Sequence, residues 1–320
     1  MNTVPLQVKA MAWEAEGVLL IDLQSADGGP LPSYAPGAHL DLTLAPGLTR
    51  SYSLIDGNPG PSPTLYRLGV GLDPGSRGGS LHVHQRLRPG DRLAASAPRN
   101  GFPLDEHSPF TQLVAGGIGI TPLMAMAERL AALGRPWRLM WCVRSRARLP
   151  FRDWLASHAD RVQLHVDDEH GAPWSDWPAL LAALPGGAHA YCCGPAPMLA
   201  AYEAAVAGVL PSAQVHLERF GAADTGAETS GGEAFHVVLA RSGQRVPIRA
   251  DQTVLQALQA TLPDLPHSCL QGVCGQCETR VLAGVPEHRD QVLSAAERAS
   301  GQTMMLCCSR ALTPELVLDL

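Results

Sequence analysis

Three cysteines fall within nine residues in the stretch SCLQGVCGQCETR, Ser268–Arg280. They are Cys269, Cys274 and Cys277, spaced C-x4-C-x2-C, and Cys307 and Cys308 follow 30 residues later. This is the plant-type ligand spacing for a [2Fe–2S] centre. Two irons need four thiolates, so a short loop supplies three and a segment that folds back supplies the fourth. By spacing alone that fourth is Cys307 or Cys308. Gly272 and Gly275 lie between the ligands, where a tight curl brings backbone N–H groups toward the sulfurs. The other readings are a zinc site or plain buried thiols. Structural zinc favours paired C-x2-C units, and only one is present.

The surroundings agree with the cluster. Ala234–Ala240 and Arg245–Ala250 read as strands joined at Ser242-Gly243, and Thr253–Leu262 as a helix. After the cysteine loop, Glu278–Ala283 reads as a strand and Ser294-Ala-Ala-Glu297 as a capping box for a short helix. Met304–Cys307 and Leu316–Leu320 supply closing strands. A hairpin, a helix, a cluster loop and a late cysteine resemble a plant-type ferredoxin domain of α+β, β-grasp fold, covering 233–320. By that resemblance Cys307 is the fourth ligand, beside Cys269, Cys274 and Cys277. Cys308 would then point to the opposite face of its strand.

The 320 residues are 46% hydrophobic and 17% charged, enough for two or three cores. The net charge of -6 argues against general nucleic-acid binding. No run approaches the roughly 18 apolar residues of a membrane span. A cytoplasmic protein without a membrane or nucleic-acid partner is expected, and in that compartment clustered cysteines bind metal more often than they pair.

A ferredoxin needs an electron donor, and the front of the chain suggests one. GAADTGAETSGG, Gly221–Gly232, lacks any bulky apolar residue and reads as a linker, taken as 223–232. Ahead of it, Phe110–Ala115 is a short apolar run, followed by GGIGITP, Gly116–Pro122, and the apolar Leu123–Leu133. Thr121 suits an N-cap, Pro122 the first helical turn and Gly134 the helix end. A strand, a glycine turn and a helix make half a βαβ unit, whose glycines let a pyrophosphate approach a helix N-terminus. Trp137–Val143 and His189–Cys193 are further strands, the latter running into Cys193-Gly194-Pro195. Alternating strands and helices over 106–222 imply an α/β domain with a parallel sheet.

The first 105 residues differ. Leu6–Ala12, Val18–Leu23, His39–Leu44, Thr64–Gly71 and Asp91–Ser96 are short strands between turns, as in a small antiparallel β-barrel. Arg50-Ser51-Tyr52-Ser53-Leu54 offers a guanidinium fork for phosphate, a flat phenol and hydroxyl groups. Ser76-Arg-Gly-Gly-Ser80 makes a phosphate cradle.

The order RxYSL, SRGGS, GGIGITP, CGP and cluster loop resembles the phthalate dioxygenase reductase and vanillate demethylase reductase family along essentially the whole chain. Ala97-Pro-Arg-Asn100, Phe102-Pro-Leu104, Tyr191-Cys-Cys-Gly-Pro195 and Val215-His-Leu-Glu-Arg-Phe220 extend the match. The resemblance implies a multidomain reductase: an FMN barrel (FAD being the lesser alternative), an NAD domain and a [2Fe–2S] domain, passing electrons from NADH to a Rieske-type oxygenase. Carried over by position, Arg50, Ser51, Tyr52 and Ser53 meet the flavin, with Gly78, Gly79 and Ser80 at its phosphate. Gly117, Gly119, Thr121, Arg144, Cys193, Gly194 and Pro195 sit at the nicotinamide cofactor. Thr121, Cys193 and Phe220 are assigned to the hydride-transfer site.

Nicotinamide preference is open from the residues themselves. Cys142-Val-Arg-Ser-Arg-Ala-Arg148 follows the second strand without a carboxylate for ribose hydroxyls. Arg144 or Arg146 could meet the 2′-phosphate of NADPH, or the diphosphate part of NADH, which the resemblance favours. His82 and His84 read as an exposed edge, Asp167-Asp168-Glu169 as a solvated turn and Phe151–Leu155 as core. Nothing requires an oligomer, so a monomer is expected. Two alternatives remain: a reductase for another acceptor, and an iron–sulfur carrier or sensor whose front domains bind nothing.

Overall fold

The computed structural model describes residues 3–73, 75, 78–220, 232–263, 265–267, 269–270, 272–273, 275–293 and 295–320. The chain divides into two compact units, Met1–Phe220 and Gly221–Leu320. Most of the expected linker, and Ser76, Arg77, Cys274 and Ser294 of the sequence motifs, lie outside the described residues.

The first unit begins with antiparallel strands β1 (Thr3–Ala15), β2 (Val18–Ser25), β3 (Ala38–Ala45), β4 (Leu48–Ser53) and β5 (Leu65–Gly71). Helix α1 (Gly79–Gln85) and strands β6 (Arg92–Ser96) and β7 (Arg99–Asn100) follow. The order is β4-β3-β6-β1-β2-β5, with β7 on β3. An antiparallel bridge from Leu54, just beyond β4, to Leu68 in β5 links the two ends of this path. Alternate residues point inward, as strand geometry requires: Leu6 and Val8, Ile21 and Leu23, Leu40 and Leu42, with Leu68 and Val70, fill the barrel. Helix α1 adds Val83 to that core. His82 and His84 are therefore helical rather than on a strand edge, and the His84 ring bonds the Val70 carbonyl at 3.0 Å.

The second sheet of this unit is parallel. Its strands are β8 (Thr111–Gly116), β9 (Trp137–Val143), β10 (Val162–Val166), β11 (His189–Cys193) and β12 (Val215–Glu218), in the order β10-β9-β8-β11-β12. Helices α2 (Ile120–Ala132), α3 (Arg152–Ser157), α4 (Asp167–His170), α5 (Trp177–Ala182) and α6 (Ala196–Val206) connect them. Strand order reverses between β8 and β11, the switch point where such sheets bind ligands. Gly134, at φ +66°, ends α2 with paired bonds from Gly134 N to Ala131 O and from Arg135 N to Leu130 O. Asp167–Glu169 form α4 rather than a free turn. In the expected apolar segment 151–155, Phe151 is buried, whereas Trp154 and Leu155 only flank the core.

One apolar cluster runs across both sheets. Ile55 and Phe102 from the barrel side join Leu113, Ile120, Leu123 and Trp141. Tyr191 pins the connecting segment: its hydroxyl accepts from Asp105 N at 2.8 Å and donates to Pro103 O at 3.3 Å.

The second unit contains β13 (Phe235–Leu239), β14 (Arg245–Ile248), α7 (Val254–Gln259), β15 (Glu278–Ala283), β16 (Pro286–Glu287), α8 (Ala295–Ser300), β17 (Thr303–Met305), β18 (Arg310–Ala311) and β19 (Glu315–Leu318). The main sheet runs β14-β13-β19-β15-β17, with β13 and β19 parallel. Thr253 and Gln256 form a reciprocal capping box that starts α7. The strand expected through Cys307 stops at Met305. Cys308 N and Ser309 N both bond back to Met305 O, so Cys307 and Cys308 sit in a turn. Both are buried, and strand alternation does not separate them.

Candidate functional site

On the barrel, the expected flavin residues line the end of β4 beside α1. The Arg50 side chain lies against the start of that helix: a methyl group on Gly79 would stand 2.5 Å from Arg50 Cγ. Gly78, with φ +91°, precedes the helix in a conformation that favours glycine. The two sequence motifs thus converge through close approach of a guanidinium stem to bare backbone. Ser80 Oγ accepts from Asp73 N at 3.1 Å, closing the loop between β5 and α1. Tyr52 is half-buried, and burial pushes its phenol up to about 12, so it stays neutral. Ser53 is buried and Ser51 exposed.

Two residues without a role in the sequence reading stiffen this strand. Ser51 Oγ donates to Asp41 Oδ1 at 2.6 Å, and Arg99 pairs with Asp41 Oδ2. Asp41 is 7% exposed, so its charge is held by these partners rather than by water. Asp41 looked like an ordinary polar residue on an alternating strand, and nothing local linked it to Arg99.

At the switch point, β8 ends in a 3-10 turn, Gly117–Gly119, that runs directly into α2 at Ile120. Thr121 is therefore inside the helix rather than its N-cap. Its hydroxyl donates to Ile118 O at 3.1 Å. The continuous turn and helix leave no break before Thr121 for a cap to fill. Trp141 Nε1 donates to Gly117 O at 3.1 Å, holding the turn from β9. Gly119 lies against the end of β11, where a methyl group would overlap the Cys193 carbonyl and stand 3.0 Å from Gly194 N. The GGIGITP and CGP segments, far apart in sequence, are in backbone contact.

Cys193 is fully buried, and burial raises its thiol well above the ordinary range, with neighbouring Glu218 adding to the shift. Pro195, beyond it, starts α6. Glu218 is level with Cys193 on β12. Its Oε2 is shut off from solvent and without a hydrogen-bond partner, and burial pushes the carboxyl up to about 8. Arg219 pairs with Glu203 at 2.6 Å, and Phe220 is 49% exposed. Arg144 is exposed, while Arg146 is held by Glu169, with Nη2 to Oε2 at 3.0 Å. That carboxylate comes from the next strand's end, which inspection of the arginine run alone could not reveal.

In the second unit the described thiols crowd around Cys307. Contacts with the thiols of Cys269, Cys277 and Cys308 raise the Cys307 thiol, while its hydrogen bond lowers that of Cys277. Val273 N donates to Cys269 Sγ at 3.4 Å, the kind of N–H to sulfur contact that steadies a thiolate. Gly272 O accepts from Gln291 N at 2.8 Å, tying the loop to the segment before α8. Among the described residues no three ligand groups already enclose a metal position. A thiol held protonated at Cys307 beside a more acidic Cys277 nevertheless suits a cationic iron centre, which would favour both thiolates.

The chain matches the 2Fe-2S iron-sulfur cluster binding domain family over residues 237–312. It is 52% identical to phenoxybenzoate dioxygenase subunit beta of Ectopseudomonas oleovorans, over 100% of this chain and 98% of that protein. Among solved structures it resembles phthalate dioxygenase reductase, described as a modular structure for electron transfer from pyridine nucleotides to [2Fe–2S]. The TM-score is 0.76 and the identity 35%, over 100% of this chain and 98% of that one. It also resembles part of an intact type IV self-sufficient cytochrome P450 monooxygenase, with TM-score 0.84 and 39% identity, over 99% of this chain but only 41% of that one. With an antiparallel barrel, a doubly wound sheet and a ferredoxin-like unit in the same order, the chain belongs to the phthalate dioxygenase reductase and vanillate demethylase reductase family.

Proposed function

We propose that this chain is the reductase component of an aromatic-ring oxygenase system. It is an oxidoreductase that uses NADH, FMN and a [2Fe–2S] cluster, and its electrons go to an oxygenase. Bound flavin converts a two-electron donor into one-electron delivery, and the cluster relays single electrons outward. The finer reading is a Rieske-type acceptor, a monomeric reductase and a cytoplasmic site of action. No helix is long and apolar enough to cross a membrane among the described residues.

The carrying observation is packing within the first unit. Leu54, the residue after Ser53, bridges to Leu68. The next residue of β5, Gly69, faces Thr121 of the nucleotide turn: a methyl group there would stand 2.8 Å from Thr121 Cγ2. The expected flavin strand and the expected nicotinamide turn are thus neighbours. In this reading Arg50, Ser51, Tyr52 and Ser53 hold the flavin, and Gly78, Gly79 and Ser80 receive its phosphate. Gly117, Gly119, Cys193, Gly194 and Pro195 accept the nicotinamide end, with Thr121, Cys193 and Phe220 at the reacting rings. Arg144 meets the nucleotide's distal half, since Arg146 is already paired. Cys269, Cys274, Cys277 and Cys307 hold the cluster. The barrel comprises 1–105, the nucleotide half 106–222, the linker 223–232 and the ferredoxin domain 233–320.

An anaerobic absorbance titration tests this reading. Flavin and iron–sulfur bands that both bleach with NADH, and then reoxidise with a Rieske oxygenase, are the expected outcome. Bleaching by NADPH alone would reverse the nucleotide preference, and a flavin-free spectrum would favour an iron–sulfur carrier. The resemblance to part of a P450 monooxygenase supports a second acceptor class. Reoxidation by a P450 haem but not by a Rieske centre would select it.

A further inference from the structure

Strand β5 reads Leu65-Tyr-Arg-Leu-Gly-Val-Gly71, ending in two glycines on one strand face. Glycine weakens a strand interior and commonly marks a close approach of other groups. Here both glycines face the nucleotide half. A methyl group on Gly69 would lie 2.8 Å from Thr121 Cγ2 and 2.9 Å from Phe151 Cζ. A methyl group on Gly71 would lie 3.2 Å from Ile118 Cγ2 and 3.3 Å from Ile118 Cβ. The Gly117–Gly119 turn and the start of α2 therefore rest directly on barrel backbone.

Phe151 is itself held from the barrel. It is a non-glycine residue at φ +52°, in the left-handed region that a bulky side chain rarely adopts. Its N–H donates to Glu14 Oε2 at 3.2 Å, and nearby Glu16 N donates to Ala147 O at 2.9 Å. Both acidic residues belong to the β1–β2 hairpin region. The barrel thus grips the loop after β9 and presses the Phe151 ring onto Gly69.

We propose that Gly69 and Gly71 are positioning residues that set the separation between nicotinamide and flavin rings, with Phe151, locked by Glu14, as the counter-face. This rests on the hydride-transfer reading above and adds what determines its distance. A side chain at residue 69 must push the nucleotide turn away from the barrel or displace Phe151. Arg50, Gly78, Gly79 and Ser80 at the flavin and Arg144 at the nucleotide's distal half stay in place, while the nicotinamide end of the site moves. Ring stacking and transfer rate should therefore fall by more than NADH affinity does, and flavin affinity should stay near its starting value.

The test is Gly69→Ala in the full chain, with its flavin content measured, mixed anaerobically with NADH in a stopped-flow instrument. Three quantities are read: the dissociation constant for NADH, the limiting rate of flavin bleaching, and the long-wavelength charge-transfer absorbance of stacked rings. The expected result is a rate lowered about tenfold to a hundredfold, well beyond any change in the dissociation constant, and a weakened charge-transfer band. Adding Phe151→Leu removes one of the two atoms the new methyl meets and should restore part of both signals. An unchanged rate and band in a flavin-loaded Gly69→Ala protein overturns the proposal. If Gly69→Ala does not fold, Gly71→Ala, whose contacts are looser, is judged by the same criteria. A wild-type protein without flavin or NADH bleaching would instead sink the hydride-transfer reading itself.

Discussion

Gly119 and Cys193 meet backbone to backbone: a methyl group on the glycine would overlap the cysteine's carbonyl oxygen. The contact joins the two strand ends that flank the switch point. In Gly119→Ala, α2 must shift away from β11. Overpacking of this kind costs about 1–3 kcal/mol, and the shift opens the turn that receives the nucleotide. The expected result is a lower Tm together with weaker NADH binding, measured by thermal unfolding and by fluorescence titration. A lower Tm with unchanged NADH binding would separate the contact from the nucleotide site.

Glu218 gives a pH signature. Its carboxyl is raised from 4.5 to about 8 by burial. Between those values the folded protein keeps a proton that the unfolded chain has lost, so stability falls as pH rises from 4.5 toward 8 and then levels. The contribution is at most about 5 kcal/mol. Glu218→Gln should remove this slope, gaining stability relative to wild type more at pH 8 than at pH 5.5. Parallel curves of Tm against pH for the two proteins would contradict the assignment.

The Asp41 carboxylate gathers Ser51 and Arg99 on the barrel wall. Asp41→Ala leaves a partly buried guanidinium without its anion, a loss of about 1.5–3 kcal/mol for a charged hydrogen bond. Urea unfolding should show a lower midpoint. Flavin should also dissociate more readily, because Ser51 neighbours both Arg50 and Tyr52. Asp41→Asn keeps an acceptor for Ser51 and should recover flavin affinity more fully than stability.

The cysteine assignments separate by spectroscopy. Cys269→Ser, Cys277→Ser or Cys307→Ser should abolish the cluster's visible bands and its reduced-state paramagnetic signal, while NADH still bleaches the flavin. Cys308 has a different position: its sulfur lies where a methyl group on Gly272 would be. Cys308→Ala should keep the cluster but loosen its loop, seen as faster loss of the visible bands on warming.

Much of this molecule was legible because it depends on local chemistry. The glycine turn after an apolar strand and the runs Trp137–Val143, His189–Cys193 and Glu278–Ala283 appear in the structure with the expected boundaries. Other features needed distant partners. Thr121 reads as a cap from its residue type, yet a 3-10 turn carries the helix past it. Met304–Cys307 reads as one strand, yet the turn at Met305 ends it early.

By itself, the sequence determined most element types, the order of the three domain-like patterns and the presence of a [2Fe–2S] domain at the C-terminal end. Those properties follow from residue spacing and backbone preference over a few neighbouring positions. Tertiary structure alone decided that Asp41 meets Arg99, that Glu218 Oε2 is shut off from solvent on the strand beside Cys193, and that Gly69 lets Thr121 and Phe151 rest on the barrel. Each of those depends on which surfaces become adjacent when separate elements bury their apolar faces, and adjacency across roughly 25 to 80 residues leaves no periodic trace along the chain.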